Sequence, residues 1–290
     1  MIRVTAKEKK LCRERSMVID HSHTSGLQLL GNYRRTLPVS MTRMMENALD
    51  WEHLPFVHAS SFGDIKCISQ GKWGWRAKVS QTALDQEDQV IELLLDRDRN
   101  YWATSIVSGP GQGIEIHTQA SSLSDFEIEI DIRFYSATKV PQDLLGIYVD
   151  VLTQQYTLLY DEDVQLMSGR QAALRDRDRW SGCSREVSEI LVGDVDVLAE
   201  KARFTVETST GRFCVRKLND AWIAHSATCS HLLGPLDDST VNIDGSIICP
   251  WHGYRFNIET GENLDGKCRA LERAPRVKEL HGKLYLSFHG

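Results

Sequence analysis

The chain has 290 residues, of which 41% are hydrophobic and 26% charged, and a formal net charge of −6. That balance is ordinary for a globular protein of about two domains, and the acidic excess argues against nonspecific nucleic-acid binding. No run of 18 apolar residues suggests a membrane span. The charged start MIRVTAKEKKLCRER lacks an apolar signal core, and of seven cysteines with no paired framework, Cys12, Cys67, Cys183, Cys214 and Cys268 read as ordinary reduced thiols of a cytoplasmic protein.

Residues 1–35 are weakly patterned, and His21 and His23 in HSHTSG read as a polar loop. A helix is predicted from near Ser40 or Thr42, either of which can cap it, through MTRMMENALDWEHL, ending at Pro55. It carries Asn47, Asp50 and His53, with His58 five residues on. Asp50 and His53, three apart, share a helical face. His53 and His58 would point about 140° apart on an unbroken helix, so the chain is expected to leave the helix and bring His58 back. Two neutral imidazoles with a distant carboxylate make the facial triad of non-haem Fe(II) sites. By itself an H-x₄-H pair is a weak signal, met more often by structural histidines.

Residues 71–137 alternate as strands. Trp73, Trp75, Ala77 and Val79 fall on one face of KWGWRAKV, and Phe126, Ile128, Ile130, Ile132 and Phe134 on one face of DFEIEIDIRF. With QVIELLL, YWATSIV and GIEIHTQ between them, they predict a meandering antiparallel sheet with one apolar face. His117 reads as a plain strand residue. A long helix from Pro141 to about Leu174 is the expected cover, with Leu145, Leu152, Tyr156 and Leu159 on one stripe. Asp163 returns to that stripe, whereas Asp161 points nearly opposite. An acid on a core-facing stripe is costly unless paired or bound to metal, so Asp163 is the candidate third ligand. Asp161 and Glu162 read as solvated neighbours. RDRDRWSGCSRE, residues 175–186, reads as a linker. Short strands then follow: EILVGDVDVL, RFTVETSTG, RFCVRKLN, AWIAHSAT and, last, KLYLSF.

The most specific signal is CSHLLGPLDDSTVNIDGSIICPWH, residues 229–252. Cys229 and His231 are spaced C-x-H, Cys249 and His252 C-x-x-H, with 17 residues between His231 and Cys249. Zinc sites usually pair like with like, C-x₂₋₄-C and H-x₃₋₅-H. Mixed pairs on two short loops suit a [2Fe–2S] cluster of the Rieske kind, one iron taking both sulfurs and the other both imidazoles. Gly234, Pro250 and Gly253 fit tight loop tips.

This stretch, with the flanking GSIICPWHGYRFNIETGE, resembles the Rieske family. Respiratory members carry a disulfide across the ligand loops. The matching positions here are Gly234 and Trp251, and Tyr254 stands where a serine is common, so the resemblance is to the lower-potential kind of oxygenases and their ferredoxins. NALDWEHLPFVHASSFGD in turn resembles the N-x-x-D-x-x-H-x₄-H stretch of Rieske non-haem iron oxygenases, nearest to the group of vanillate and dicamba O-demethylases, and DEDVQLM resembles their late acidic motif. The resemblance implies a mononuclear Fe(II) on His53, His58 and Asp163. It makes Asp50 the electron-transfer bridge toward His252 and places Asn47 near the iron.

The implied fold is α+β: a helix-grip-like catalytic domain over residues 1–180, then an all-β Rieske domain over 187–290. The family's usual domain order is reversed. The implied activity is that of a terminal oxygenase, a monooxygenase that hydroxylates or demethylates an aromatic or apolar compound with O₂. Electrons would come from a ferredoxin or reductase, and the family's assembly is a homotrimer. A ligand-binding domain fused to a Rieske electron carrier is the competing class, and a zinc-stabilised binding protein a third.

Overall fold

A computed structural model describes residues 2–82, 87–181 and 188–288. Cys183, His289 and the end of the expected linker lie outside these residues. The chain divides into two compact units, Met1–Ser168 and Gly169–Gly290.

In the first unit, Thr5 caps α1 (Ala6–Glu14), its side chain and that of Glu8 closing a reciprocal capping box. Strand β1 (Gln28–Leu37) follows. Both elements arise in the stretch read as weakly patterned, because α1 buries only Cys12 and β1 alternates with few apolar residues. Ser40 caps α2 (Met41–Leu49). The helix then breaks at Asp50 (φ −86°, ψ 81°), five residues before the expected stop. A 3₁₀ turn, Trp51–His53, leads into a short helix α3 (Leu54–Val57). Pro55 lies in the first turn of α3, where its missing N–H costs nothing, so it starts a turn instead of ending one.

Six strands follow in meander: β2 (Phe62–Gly71), β3 (Gly74–Gln81), β4 (Gln89–Asp96), β5 (Tyr101–Ser108), β6 (Ile114–Ser124) and β7 (Glu127–Ser136). The sheet order is β1-β7-β6-β5-β4-β3-β2, antiparallel throughout. Period-two alternation buries Trp75, Ala77 and Val79, and likewise Ile128, Ile130, Ile132 and Phe134. Trp73 falls in the turn before β3, and Phe126 is exposed at the hairpin tip before β7. A turn at Pro141 precedes α4 (Leu145–Ser181), which starts later and runs further than expected. Residues 175–181, read as linker, continue the helix. Ion pairs such as Arg179–Asp176 at one-turn spacing (3.3 Å) support helix in so charged a segment.

The other face of the sheet is closed by the N-terminal segment. Arg76 is 1% exposed there, ion-paired to Glu92 and donating to the Cys12 carbonyl at 3.1 Å, while Arg15 reaches Glu92 at 2.8 Å. Removing one partner of such a buried pair leaves an uncompensated charge. Glu92→Ala is therefore expected to destabilise the first unit by about 3–5 kcal/mol, read as a fall in its thermal midpoint. An unchanged midpoint would contradict the network's role in fastening the N-terminal segment.

The second unit is all-β beyond the helix end. It holds β8 (Glu189–Asp194), a helical turn α5 (Val195–Leu198), β9 (Arg203–Glu207), β10 (Arg212–Leu218) and β11 (Ala221–Ser226). A small hairpin follows, β12 (Ser246–Ile248) with β13 (Arg255–Asn257), and then β14 (Arg276–Leu280) and β15 (Lys283–Ser287). The sheets are β11-β10-β9, β12-β13 and β14-β15-β8. Leu198, Val215, Leu284 and Leu286 form its core. Among the described residues no helix is long and apolar enough to cross a membrane.

Candidate metal centres

In the first unit, the break at Asp50 turns the following 3₁₀ segment so that His53 faces inward. The end of α3 returns His58 to the same point, and α4 supplies Asp163 from the stripe that packs on the sheet. All three are buried, at 2%, 1% and 8% exposure. Their inward atoms converge: His53 Nε2 to His58 Nε2 is 3.3 Å, His58 Nε2 to Asp163 Oδ1 3.1 Å and His53 Nε2 to Asp163 Oδ1 3.4 Å. Three ligand atoms bonded to one ion at about 2.1 Å lie about 3.0–3.4 Å apart at right to tetrahedral angles, so the triad fits a single transition metal.

The electrostatics agree. Burial opposes a charge on His53, yet hydrogen bonds with Asp163 and Asp50 prevail and raise its pKa to about 10. Burial likewise opposes ionisation of Asp163, and the two imidazoles outweigh it, holding the carboxylate well below its usual range. A divalent cation bound at the triad would displace the proton His53 holds.

The residues around the triad orient it. Asp50 Oδ2 lies 3.6 Å from His53 Nδ1. Asn47 is buried with its side-chain oxygen unpartnered and lines the same cavity. Glu162, set aside in the sequence as solvated, accepts a hydrogen bond from His58 Nδ1 at 2.7 Å. That contact fixes the tautomer and turns Nε2 to the triad. Helical periodicity points residue 162 about 100° away from 163, and it could not show that a glutamate is long enough to reach round. Asp161 does face out, paired with Arg35. Glu162→Gln is expected to weaken Co(II) binding at the triad about 10- to 100-fold, with the visible spectrum of the other centre unchanged. Equal affinity would remove Glu162 from the site.

Under α4 the triad opens into a cavity of about 280 Å³. Trp75, Leu93, Trp102, Ile116, Leu152 and Tyr156 are among its walls. His117 is buried away from it, held by Tyr101 Oη at 2.7 Å and Glu115 at 3.0 Å. His21 and His23 pair with Asp96 and Glu115.

In the second unit, two loops of matching construction carry the Cys-and-His pairs. In the first, Cys229 N donates to Gly234 O (2.8 Å) and Leu233 N to Cys229 O (3.1 Å). In the second, Cys249 N donates to Tyr254 O (2.9 Å) and Gly253 N to Cys249 O (2.9 Å). The fifth residue of each is left-handed, Leu233 at φ 63° and Gly253 at φ 66°. Gly234 is thus not at the tip. Its lack of a side chain serves space, since a Cβ there would meet Cys249 Sγ at 2.8 Å. Both cysteines are buried, and the His231 and His252 rings stand edge to face at 4.6 Å. The thiols face each other: a hydrogen bond from Cys229, with help from His252 and against burial, draws Cys249 down to about 5, and the same contact pushes Cys229 up. Two thiolates and two imidazoles meeting from opposed loops, with the room that Gly234 leaves, fit a two-iron cluster.

Residues 188–280 match the Rieske [2Fe-2S] domain. This chain belongs to the Rieske family. Its Rieske unit is 31% identical over 83 residues to a human Rieske domain-containing protein, a stretch that is 28% of this chain and 53% of that one. It is 31% identical over 74 residues to the ferredoxin CarAc of Metapseudomonas resinovorans, 25% of this chain and 67% of that one. The chain therefore spans about half the length of the first relative. Among solved structures, the ZhuI aromatase/cyclase from Streptomyces sp. R1128 is similar to this chain at 10% identity, covering 50% of this chain and 95% of its own, with a TM-score of 0.40. The Rieske domain supports a [2Fe–2S] cluster on these four Cys and His residues.

Proposed function

We propose that this Rieske protein is the terminal component of an oxygenase, with the mononuclear iron domain over residues 1–180 and the Rieske domain over 187–290, the reverse of the usual order. The observation that carries the reading is the convergence of His53, His58 and Asp163, all buried, at the head of an apolar cavity in a chain that also holds a Rieske domain. Two imidazoles and one carboxylate on one side of an ion leave its other positions open, which suits Fe(II) and O₂.

Cys229 and Cys249 would hold one cluster iron, and His231 and His252 the other. When bound, the cluster would supply one-electron transfer from a ferredoxin or reductase and the mononuclear iron the oxygen chemistry. The chain's own residues set the conditions. Asp50, beside His53, bridges the electron path from His252, in its own subunit or in a neighbour of a homotrimer. Glu162 orients His58, and Asn47 stands beside the reacting end. The walls of the cavity exclude water and hold an apolar or aromatic substrate against the triad. The overall conversion balances as substrate C–H plus O₂, two electrons and two protons giving C–OH and water. Where the hydroxylated carbon is a methyl on an ether oxygen, the hemiacetal product breaks its C–O bond to give the demethylated alcohol and formaldehyde. A cytoplasmic location suits the reduced ligand thiols.

The test is single turnover. Chemically reduced protein mixed with O₂ and a panel of small aromatic compounds should yield hydroxylated product. If no compound is converted although the third iron is bound, a ligand-binding domain fused to an electron carrier becomes the better account.

A further inference from the structure

The geometry points to a substrate that is uncharged, with an apolar body of about a dozen non-hydrogen atoms and one hydroxyl or carbonyl group read by side-chain amides at the cavity mouth. The inference rests on reading the cavity under α4 as the substrate pocket.

On β3 and β4 the charged side chains project to the face of the sheet away from the cavity. On β3, Trp75 enters the cavity, whereas Arg76 and Lys78 project to the other face and are consumed there, Arg76 by Glu92 and Lys78 by Glu8 (3.0 Å) and Asp88 (3.2 Å). On β4, Ile91 and Leu93 line the cavity and Glu92 does not. Among the described residues that line the cavity, none is Lys or Arg; the ionisable ones are the triad, Asp50 and two tyrosines, Tyr156 and Tyr160, whose hydroxyls burial keeps protonated. A substrate carboxylate in this cavity would lose its hydration and meet no Lys or Arg, and the two imidazoles there are already paired with Asp50, Asp163 and Glu162, a cost of several kcal/mol.

The mouth offers neutral partners instead. Gln89 donates to Pro110 O and its amide oxygen accepts from Gln81 Nε2, which leaves the Gln81 oxygen as an acceptor and its second N–H as a donor. Gln155, exposed on α4, donates to Ser61 Oγ at 3.0 Å and keeps its oxygen for a ligand. Gln155 lies eight residues before Asp163 on one helix, an axial rise of about 12 Å between their backbones that the two side chains shorten as they reach into the cavity. A cavity of 280 Å³ is nearly twice one of about 150 Å³ that takes benzene.

The experiment is equilibrium dialysis of the cluster-loaded protein near neutral pH, without reductant or O₂, against 2-naphthol, 2-naphthoate and naphthalene. Expected is 2-naphthol held at least about tenfold more tightly than 2-naphthoate, with naphthalene between them. Gln81→Arg should reverse the order of naphthol and naphthoate. Gln155→Arg, on an exposed helical position that tolerates substitution, should raise naphthoate retention in the same direction. Naphthoate held as tightly as naphthol, retention of none of the three, or an order unmoved by both substitutions would overturn the proposal. No turnover enters the readout. Tight naphthoate binding with the third iron present would sink this inference and spare the oxygenase reading. The expected order in protein that binds no third iron would do the reverse.

Discussion

His53→Ala protein is expected to keep the red-brown Rieske spectrum, to lose one iron per chain, and to lose all oxygenase turnover. His53 supplies one of three inward atoms spaced 3.1–3.4 Å apart at a site 2% exposed. Without it His58 and Asp163 remain, and two ligands with no third arm hold a labile divalent ion weakly. The substitution also strips Asp163 of a buried partner, so some loss of stability is expected in the first unit. His53→Gln, which keeps a polar group in place, separates that cost from the loss of metal. The four Cys and His side chains of residues 229–252 are far away in sequence and belong to the other compact unit. Loss of the visible bands together with activity would contradict the existence of two separate centres.

Cys249→Ser should do the converse. Cys249 is 1% exposed, its sulfur faces that of Cys229, and its backbone closes the second ligand loop. A serine oxygen is a harder and more basic donor than a thiolate, so the cluster is expected to be lost or assembled only in traces. Acid-labile sulfide should fall to near zero, the protein should be colourless, and about one iron per chain should remain at the triad. Reduction by a ferredoxin would then find no entry point, and turnover would stop although the oxygen-binding iron is in place. A coloured Cys249→Ser protein, or one that loses every iron, would mean that the two sites were assigned wrongly or are not independent.

The two substitutions show how unevenly the chain can be read from its sequence. The Rieske domain is legible because its ligands sit in pairs on short loops, and a pair one or two residues apart needs no knowledge of the tertiary fold. The sheet is legible because Ile128, Ile130, Ile132 and Phe134 alternate strictly, and all are fully buried. The N-terminal cover is not. Its anchoring contacts are Arg15 and Arg76 on Glu92, a charged network that no hydrophobic period marks. Helix ends also escape. The break at Asp50 has no proline or glycine to announce it, and α4 runs through residues whose charge suggests a linker. Asp163 stood out because a carboxylate interrupts an apolar stripe. The same periodicity dismissed Glu162, whose reach depends on side-chain length and on where His58 returns, and only the fold decides that. Gly234 teaches a related lesson: a glycine in a ligand loop invites a turn reading, while here the turn is made by Leu233 and the glycine makes room beside a sulfur.

The account stands on one claim, that a single chain holds a two-iron cluster and a separate mononuclear iron. The ratio of iron to acid-labile sulfide in anaerobically purified protein tests it most directly. The account predicts about three irons to two sulfides, falling to two irons to two sulfides in His53→Ala. A ratio of one iron per sulfide in the unsubstituted protein, unmoved by added Fe(II), would contradict it and leave a Rieske electron carrier.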